Sequence, residues 1–195
     1  MQLAAEVDAL AAQLDASRAR IAELEARIDI DPLTDVLNRR GFERELKRSL
    51  AYAKRYGARA ALLYIDLDGF KPVNDRHGHA AGDAVLKTVA AVLVRNVRAS
   101  DIVARLGGDE FAVLLWNVGG DAAAAKAVAL EAAIYATQIR WNASTFVVGA
   151  SAGMAEIGPL DAPAEALERA DAAMYARKRA RAHRSGSRVA GVRYP

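Results

Sequence analysis

The sequence predicts an α+β domain, in which a mostly antiparallel central sheet is flanked by helices and preceded by a helical stalk. Three observations predict it. Residues 60–67 are apolar almost throughout, as a strand buried on both faces is. Two short apolar runs, 102–106 and 111–115, are separated by Gly107-Gly108-Asp109-Glu110, which is hairpin chemistry. Segments of helical periodicity stand around them in a mixed order, which favours an α+β arrangement over regular βα alternation.

Residues 1–30 repeat every seven. Val7, Leu14, Ile21 and Ile28 form one series and Leu3, Leu10, Ser17 and Leu24 the other. Set as a and d, these series make a coiled-coil seam whose β-branched a and leucine d positions favour a parallel pair. The alternative is a single amphipathic helix docked on its own domain. Pro32 disfavours helix at Asp31 and closes the stalk. A helix is expected from Thr34 or Asn38 to Tyr56, ended by Gly57. After the strand at 60–67 comes a helix from Asp83 to about Val97, with Val85, Leu86, Val89, Val92 and Leu93 on one face. The hairpin follows, then an alanine-rich helix from Asp121 to about Gln138. Residues 145–155 read as a strand interrupted at Gly153. Pro163 opens a final helix to about Arg179. The domain is thus placed at 31–185 and a tail at 186–195.

Composition excludes several classes. Apolar residues are 53% and charged residues 26%, so the chain is globular rather than disordered. With no cysteine there are no disulfides, thiolate nucleophiles or cysteine metal sites, which fits a cytoplasmic setting. No apolar run reaches the roughly 18 residues of a membrane span. The formal charge is +3, with basic residues gathered between Arg177 and Arg188. That run reads either as a phosphate-facing surface or as a solvated helix end. Nucleic-acid binding is not expected, because aromatics are only 6% and no nucleic-acid motif is present.

The candidate chemistry lies in acids. Asp66 and Asp68 end the buried strand and, two apart, point to one face. Two carboxylates there are costly unless a cation neutralises them, and oxygen ligands suit a hard ion such as magnesium. Asp109 and Glu110 bring two more acids to a tight turn whose glycines allow close approach to the backbone. Either pair alone is more readily a solvated strand end or a plain turn. Together they read as a metal site for phosphoryl transfer.

At this point the sequence resembles the GGDEF family of diguanylate cyclases. Gly107-Gly108-Asp109-Glu110-Phe111 matches the motif that names it. Asp31-Pro32-Leu33-Thr34 with Asn38-Arg39-Arg40 resembles the family's opening. Asp66-Leu67-Asp68-Gly69-Phe70-Lys71 through Asn74-Asp75, Gly78-His79 and Gly82-Asp83 resembles its central block. Asp171, Met174-Tyr175 and Lys178 resemble its closing helix. The resemblance implies a ferredoxin-like, palm-type sheet of the nucleotidyl-cyclase kind. It implies metal binding by Asp66, Asp109 and the Leu67 carbonyl, with Mg2+ or Mn2+ as cofactor, and a role for Glu110 beside the reacting groups. Asn74 and Asp83 would read guanine, although a turn residue and a helix N-cap are their plain alternatives. Gly69, Phe70 and Lys71 would hold phosphates at a helix start, with Gly107 and Gly108 lining the same substrate, and Lys178 would reach the terminal phosphates.

The implied activity is condensation of two GTP into cyclic di-GMP and pyrophosphate across a homodimer of half-sites paired by the stalk. Arg98 and Asp101, an Arg-x-x-Asp element ahead of the signature, would bind the product as inhibitor; an exposed ion pair is the plain alternative. The alternative function is a catalytically weak cyclic di-GMP-binding effector, against which the intact Asp66, Asp109 and Glu110 speak. Three departures stand out. Asp35 occupies a place where glycine is usual, Arg181-Ala182 replaces a usual Gly-Arg so that a phosphate contact is missing at Ala182 with Arg181 or Arg184 as the candidate substitutes, and Trp116 stands where proline is common.

Overall fold

A computed structural model of the protein describes residues 29–184, apart from 143 and 159, together with Gln13 and Leu14. Strand β1 (Leu37–Asn38) leads into helix α1 (Arg39–Tyr56). The Asn38 side chain accepts from the Gly41 amide and caps the helix, and Gly57 closes it at φ +64°. Strand β2 (Ala60–Asp68) follows, then α2 (Phe70–His77) and α3 (His79–Arg95). The hairpin is β3 (Ile102–Gly107) and β4 (Glu110–Trp116). Helix α4 (Gly120–Tyr135), a small hairpin of β5 (Ile139–Trp141) and β6 (Ser144–Phe146), strand β7 (Gly149–Ile157) and helix α5 (Pro163–Arg184) complete the described chain.

The main sheet has the order β1-β3-β4-β2-β7, with only the β1–β3 pair parallel. This is the expected α+β sheet. Because side chains alternate along β2, its two faces feed two cores. Leu63, Ile65 and Leu67 pack with α3 and α4, alongside Phe111 and Val113 of β4. Leu62 and Tyr64 pack with α1 and α5, alongside Ala112 and Leu114. The run at 60–67 is therefore apolar because β2 is central and covered on both sides. On the second face α5 crosses β7 closely: a Cβ on Gly153 would fall onto the backbone of Ala170 and Met174.

Some boundaries differ from expectation. Helix α3 begins at His79, so Asp83 is its fifth residue and exposed, not an N-cap. Residues 70–77 form a helix of their own, too short to show periodicity. The alanine-rich helix ends at Tyr135, and the final helix runs on to Arg184. The expected strand at 145–155 is two: β6 pairs with β5 in a separate two-stranded sheet, and β7 joins β2 in the main one. The coiled-coil stalk lies outside the described residues except for Gln13, Leu14, Asp29 and Ile30, and so does the tail at 186–195. No helix among the described residues is long and apolar enough to cross a membrane.

Candidate active site

The site is built where β2 ends. In the antiparallel register Asp66 stands opposite Glu110 of β4 and Ser151 of β7. The signature turn therefore sits beside the β2 acids through strand pairing alone. The turn needs its glycines, since Gly107 and Gly108 hold φ of +153° and +47°. The ladder shifts register between Arg105 and Gly107, and the Leu67 amide donates to the Asp109 carbonyl at 3.3 Å, which ties the turn to β2.

Two arginines brace this turn from behind. Arg105 donates to the Gly108 carbonyl through Nε at 3.0 Å and Nη2 at 2.9 Å. Its Nη1 lies 3.3 and 3.2 Å from the two Asp31 oxygens. Asp31 also accepts from the Thr34 amide at 2.9 Å and hydroxyl at 2.6 Å. Burial opposes its charge, but Thr34 and Arg105 outweigh it and hold the carboxyl below the usual carboxylate range. The Asp-Pro-Leu-Thr opening is thereby joined to the signature turn through one guanidinium. Asp35, in the place where glycine is usual, keeps the left-handed conformation at φ +58°, which aspartate tolerates better than most residues. Arg39 donates from Nε to the Leu106 carbonyl at 3.0 Å and approaches Glu110 at 3.7 Å. Beneath Glu110 lies Tyr64, whose hydroxyl is pushed up to about 12 by burial and by its hydrogen bond to that carboxylate.

Helix α5 supplies the facing cation. Lys178 Nζ is hydrogen bonded to Asp66 Oδ1 and lies 3.9 Å from Asp68. Burial opposes its charge, yet Asp66, Asp68 and Asp109 together hold it above the usual lysine range. Asp109 is shifted upward, first by burial and then by the charge of Asp66. Asp68 is shifted upward by burial, although Ser151 Oγ donates to it at 3.2 and 3.0 Å. Among the described residues no three carboxylates or histidines gather around one point. Magnesium does not require that, because it takes one or two carboxylates and fills its shell with phosphate oxygens and water. Asp66 and Asp109, two partly desolvated and mutually repelling carboxylates with a lysine held against one of them, fit such an ion.

The two residues expected to read the base stand on successive helices. The Asn74 side chain of α2 lies over Gly82 of α3, where a Cβ would collide with it, and Asp83 is the next residue of that helix. Asn74 Oδ1 is buried with no hydrogen-bond donor among the described residues. Gly69 caps α2, with Phe70 half-buried and Lys71 exposed at its first turn. Arg98 and Asp101 are not part of this group. They lie before β3, at the opposite end of that strand from the signature turn. There the Asp101 oxygens accept the Arg98 amide at 2.9 Å and the Trp116 amide at 3.1 Å, while the Arg98 side chain stays exposed. Asp101 is a backbone staple and not the surface ion pair of the plain alternative.

Several supporting residues were missed from sequence. Arg105 carries no signal of its own, and Arg39 enters only as part of the Asn38-Arg39-Arg40 opening. Tyr64 reads as one more apolar strand residue, and Ser151 carries no signal. Glu131 had one: it is the acid on the stripe of α4 that carries Ala123, Ala127, Leu130 and Ile134 inward.

Comparison with known proteins agrees with this geometry. The profile of the diguanylate cyclase GGDEF domain matches residues 28–184. The chain is 41% identical over 184 residues to the diguanylate cyclase TpbB of Pseudomonas aeruginosa, spanning 91% of this chain and 42% of that protein. It is 40% identical over 163 residues to the probable diguanylate cyclase DgcE of Escherichia coli, spanning 83% of this chain but only 15% of that one. The chain thus spans less than half the length of these relatives. A crystal structure of the coiled coil and GGDEF domain of DgcB from Caulobacter crescentus, in complex with c-di-GMP, superposes with a TM-score of 0.78 at 30% identity, covering 92% of this chain and 96% of that one. The GGDEF domain of TpbB superposes with a TM-score of 0.73 at 44% identity, covering 77% and 89%. Signature turn, paired carboxylates and whole-domain superposition agree, and the chain belongs to the GGDEF-domain family of diguanylate cyclases.

Proposed function

We propose that this chain condenses two molecules of GTP into cyclic di-GMP with release of pyrophosphate. The observation that carries this reading is the convergence of Asp66, Asp109 and Lys178 at the ends of β2, the signature turn and α5. Such a group binds a divalent cation and a polyphosphate and has little other use. Mg2+ or Mn2+ would be held by Asp66, Asp109 and the Leu67 carbonyl. Once bound, it supplies Lewis acidity toward the attacking hydroxyl and the departing pyrophosphate.

The residues of the chain do the rest. Asn74 and Asp83 hold the guanine edge: the carboxylate accepts from N1–H and the exocyclic amine, and the amide serves the remaining polar atoms. The α2 amides that follow Gly69, at Phe70 and Lys71, bind phosphate at a helix N-terminus. Lys178 exchanges Asp66 for the terminal phosphates. Glu110, kept in place by Tyr64 and Arg39, stands beside the reacting groups. Each site holds one GTP, so two domains must face each other. Each 3′-hydroxyl then attacks the α-phosphorus of the other nucleotide, the new O–P bond forming as the bond to pyrophosphate breaks and the hydroxyl proton passes to solvent.

Residues 1–30 pair the domains as a parallel coiled coil and raise the effective concentration of one half-site near the other. Product binding at Arg98 and Asp101 limits turnover, with the exposed Arg98 fork as the phosphate or guanine contact. The deciding experiment is incubation of the full chain with GTP and Mg2+, with products identified by mass. Cyclic di-GMP and pyrophosphate are expected from the wild type and neither from Asp109→Ala. Undiminished turnover in Asp109→Ala would remove Asp109 from the metal site.

A further inference from the structure

The end of the sheet remote from the signature turn carries a cleft of about 680 Å³, a size typical of small-molecule sites. Tyr52 and Tyr56 of α1, Trp116 at the end of β4, and Ser100 and Ile102 at the entry to β3 line it. Its aromatic wall is open to solvent, with Tyr52 53% exposed and Tyr56 60% exposed. Aromatics are only 6% of the chain, yet one of its two tryptophans and two of its six tyrosines meet at this one open place. Glu45 and Arg48, paired at 2.8 Å, close one rim and neutralise each other, which leaves the rings as the cleft's main offering.

The rings are set in a definite geometry. Tyr52 and Tyr56, four residues apart, share one face of α1, with centroids 4.6 Å apart. Tyr52 meets Trp116 edge to face, at 5.6 Å and 89°. Two rings at a right angle form a corner. A planar heterocycle laid on one ring presents its edge to the other, the arrangement that aromatic quadrupoles favour. The corner is fixed from below, because Trp116 and Ile102 pack, partly buried, against the core on the α1 and α5 side. The Trp116 amide also donates to Asp101 Oδ1 at 3.1 Å, and Asp101 Oδ2 accepts the Arg98 amide at 2.9 Å. One carboxylate thus ties the aromatic corner to the Arg98-x-x-Asp101 element, and Ser100 of that element lines the cleft itself. Proline, common at position 116 in the family, has neither an amide hydrogen for Asp101 nor an aromatic face.

From this geometry we infer that Tyr52 and Trp116 form a base-stacking subsite, which takes a guanine of cyclic di-GMP held at Arg98. The inference rests on the product reading of Arg98 and Asp101, and adds to it the residues that grip the base. The exposed Arg98 side chain supplies the charged contact, and the ring corner covers the face of the base, which hydrogen bonds leave bare. Stacking tolerates any base, so this subsite contributes affinity, and discrimination stays with the polar contacts.

The test titrates the full chain with cyclic di-GMP, with 3′-deoxy-GTP and Mg2+ as the control for the nucleotide site. Tyr52→Leu keeps an apolar side chain but no ring. It is expected to weaken cyclic di-GMP by roughly five- to a hundredfold, as loss of a base–aromatic stack does, and to leave 3′-deoxy-GTP within about twofold. Trp116→Ala is expected to show the same selective loss, and Trp116→Phe to recover most of it. A spectroscopic arm needs no variant in the cleft: in Trp141→Phe, Trp116 is the sole tryptophan, and its fluorescence is expected to be quenched by cyclic di-GMP and not by 3′-deoxy-GTP. Wild-type affinity for cyclic di-GMP in both Tyr52→Leu and Trp116→Ala would overturn the inference, as would Trp116 fluorescence that stays unchanged at saturation. Equal weakening of both ligands would show a purely structural role and overturn it too. The Arg98 assignment fails separately, if Arg98→Ala binds cyclic di-GMP as wild type does; quenching of Trp116 together with selective loss in Tyr52→Leu would still uphold the stacking role. No binding of cyclic di-GMP to the wild type would overturn both.

Discussion

Gly153→Ala tests how α5 is held against the sheet. A Cβ at Gly153 would stand 2.0 Å from the Met174 nitrogen and 2.2 Å from the Ala170 carbonyl oxygen. Non-bonded heavy atoms want about 3.5 Å, so helix and strand must part by about 1 Å or more. The opposing atoms are backbone and cannot swing aside. The cost should therefore lie toward the upper end of the roughly 1–3 kcal/mol of an overpacked core. For a domain of this size that is a fall in Tm on the order of 5–10 °C. Lys178 lies one turn beyond Met174, so the same displacement draws its amine away from Asp66, and a misplacement of about 1 Å can cost on the order of a hundredfold in rate. Gly120→Ala is the control. Its Cβ would meet only the end of the Glu156 side chain, which can rotate away, so stability should stay within about 0.5 kcal/mol of wild type. Thermal melts of both variants, followed by initial rates with GTP, decide the matter. If Gly153→Ala melts and turns over like wild type, the close crossing of α5 over β7 does not set the site.

Further outcomes follow from the polar groups. Asp109 is shifted upward, chiefly by burial, so the stability it contributes is present below its unfolded value, near 4, and lost as pH rises through its folded value. Asp109→Asn should accordingly melt above wild type at pH 7 without added metal, with the gap closing on acidification. Mg2+ should raise the Tm of wild type only, and a variant that melts lower at pH 7 would contradict this. Asn74→Ala removes a buried acceptor that no donor serves, so it should be at least as stable as wild type while weakening GTP by about 1–3 kcal/mol in a direct binding titration. Arg105→Ala leaves Asp31 and the Gly108 carbonyl without their shared partner and should cost about 2 kcal/mol in urea denaturation; Arg105→Lys should recover little, since one amine cannot span both.

What the sequence discloses here is set by how local each determinant is. Asp66 and Asp109 were legible because a strand's alternation and a glycine turn fix them within a few residues. Gly57 was legible because a left-handed closing residue is a property of one backbone position. Gly153 was visible as an interruption, but its reason is the approach of α5, which no window around residue 153 contains. Asp83 was misplaced for the converse reason: it has cap chemistry, yet the helix had already begun at His79, because Phe70–His77 and the Gly78 turn set its start. The braces are harder still. Arg105 reaches Asp31 across 74 residues and Lys178 reaches Asp66 across 112. Nothing in the residues around either one names its partner: Lys178 is singled out only through the family resemblance, and the packing of the fold brings both to their partners. Glu131 lies between these cases. An acid on an otherwise apolar helical stripe violates the helix's own pattern, and a violation of that kind is costly unless something non-local satisfies it. The sequence could therefore say that Glu131 has a buried cationic partner. Only the fold could say that the partners are Arg177 and Arg181, on a helix that begins more than thirty residues later.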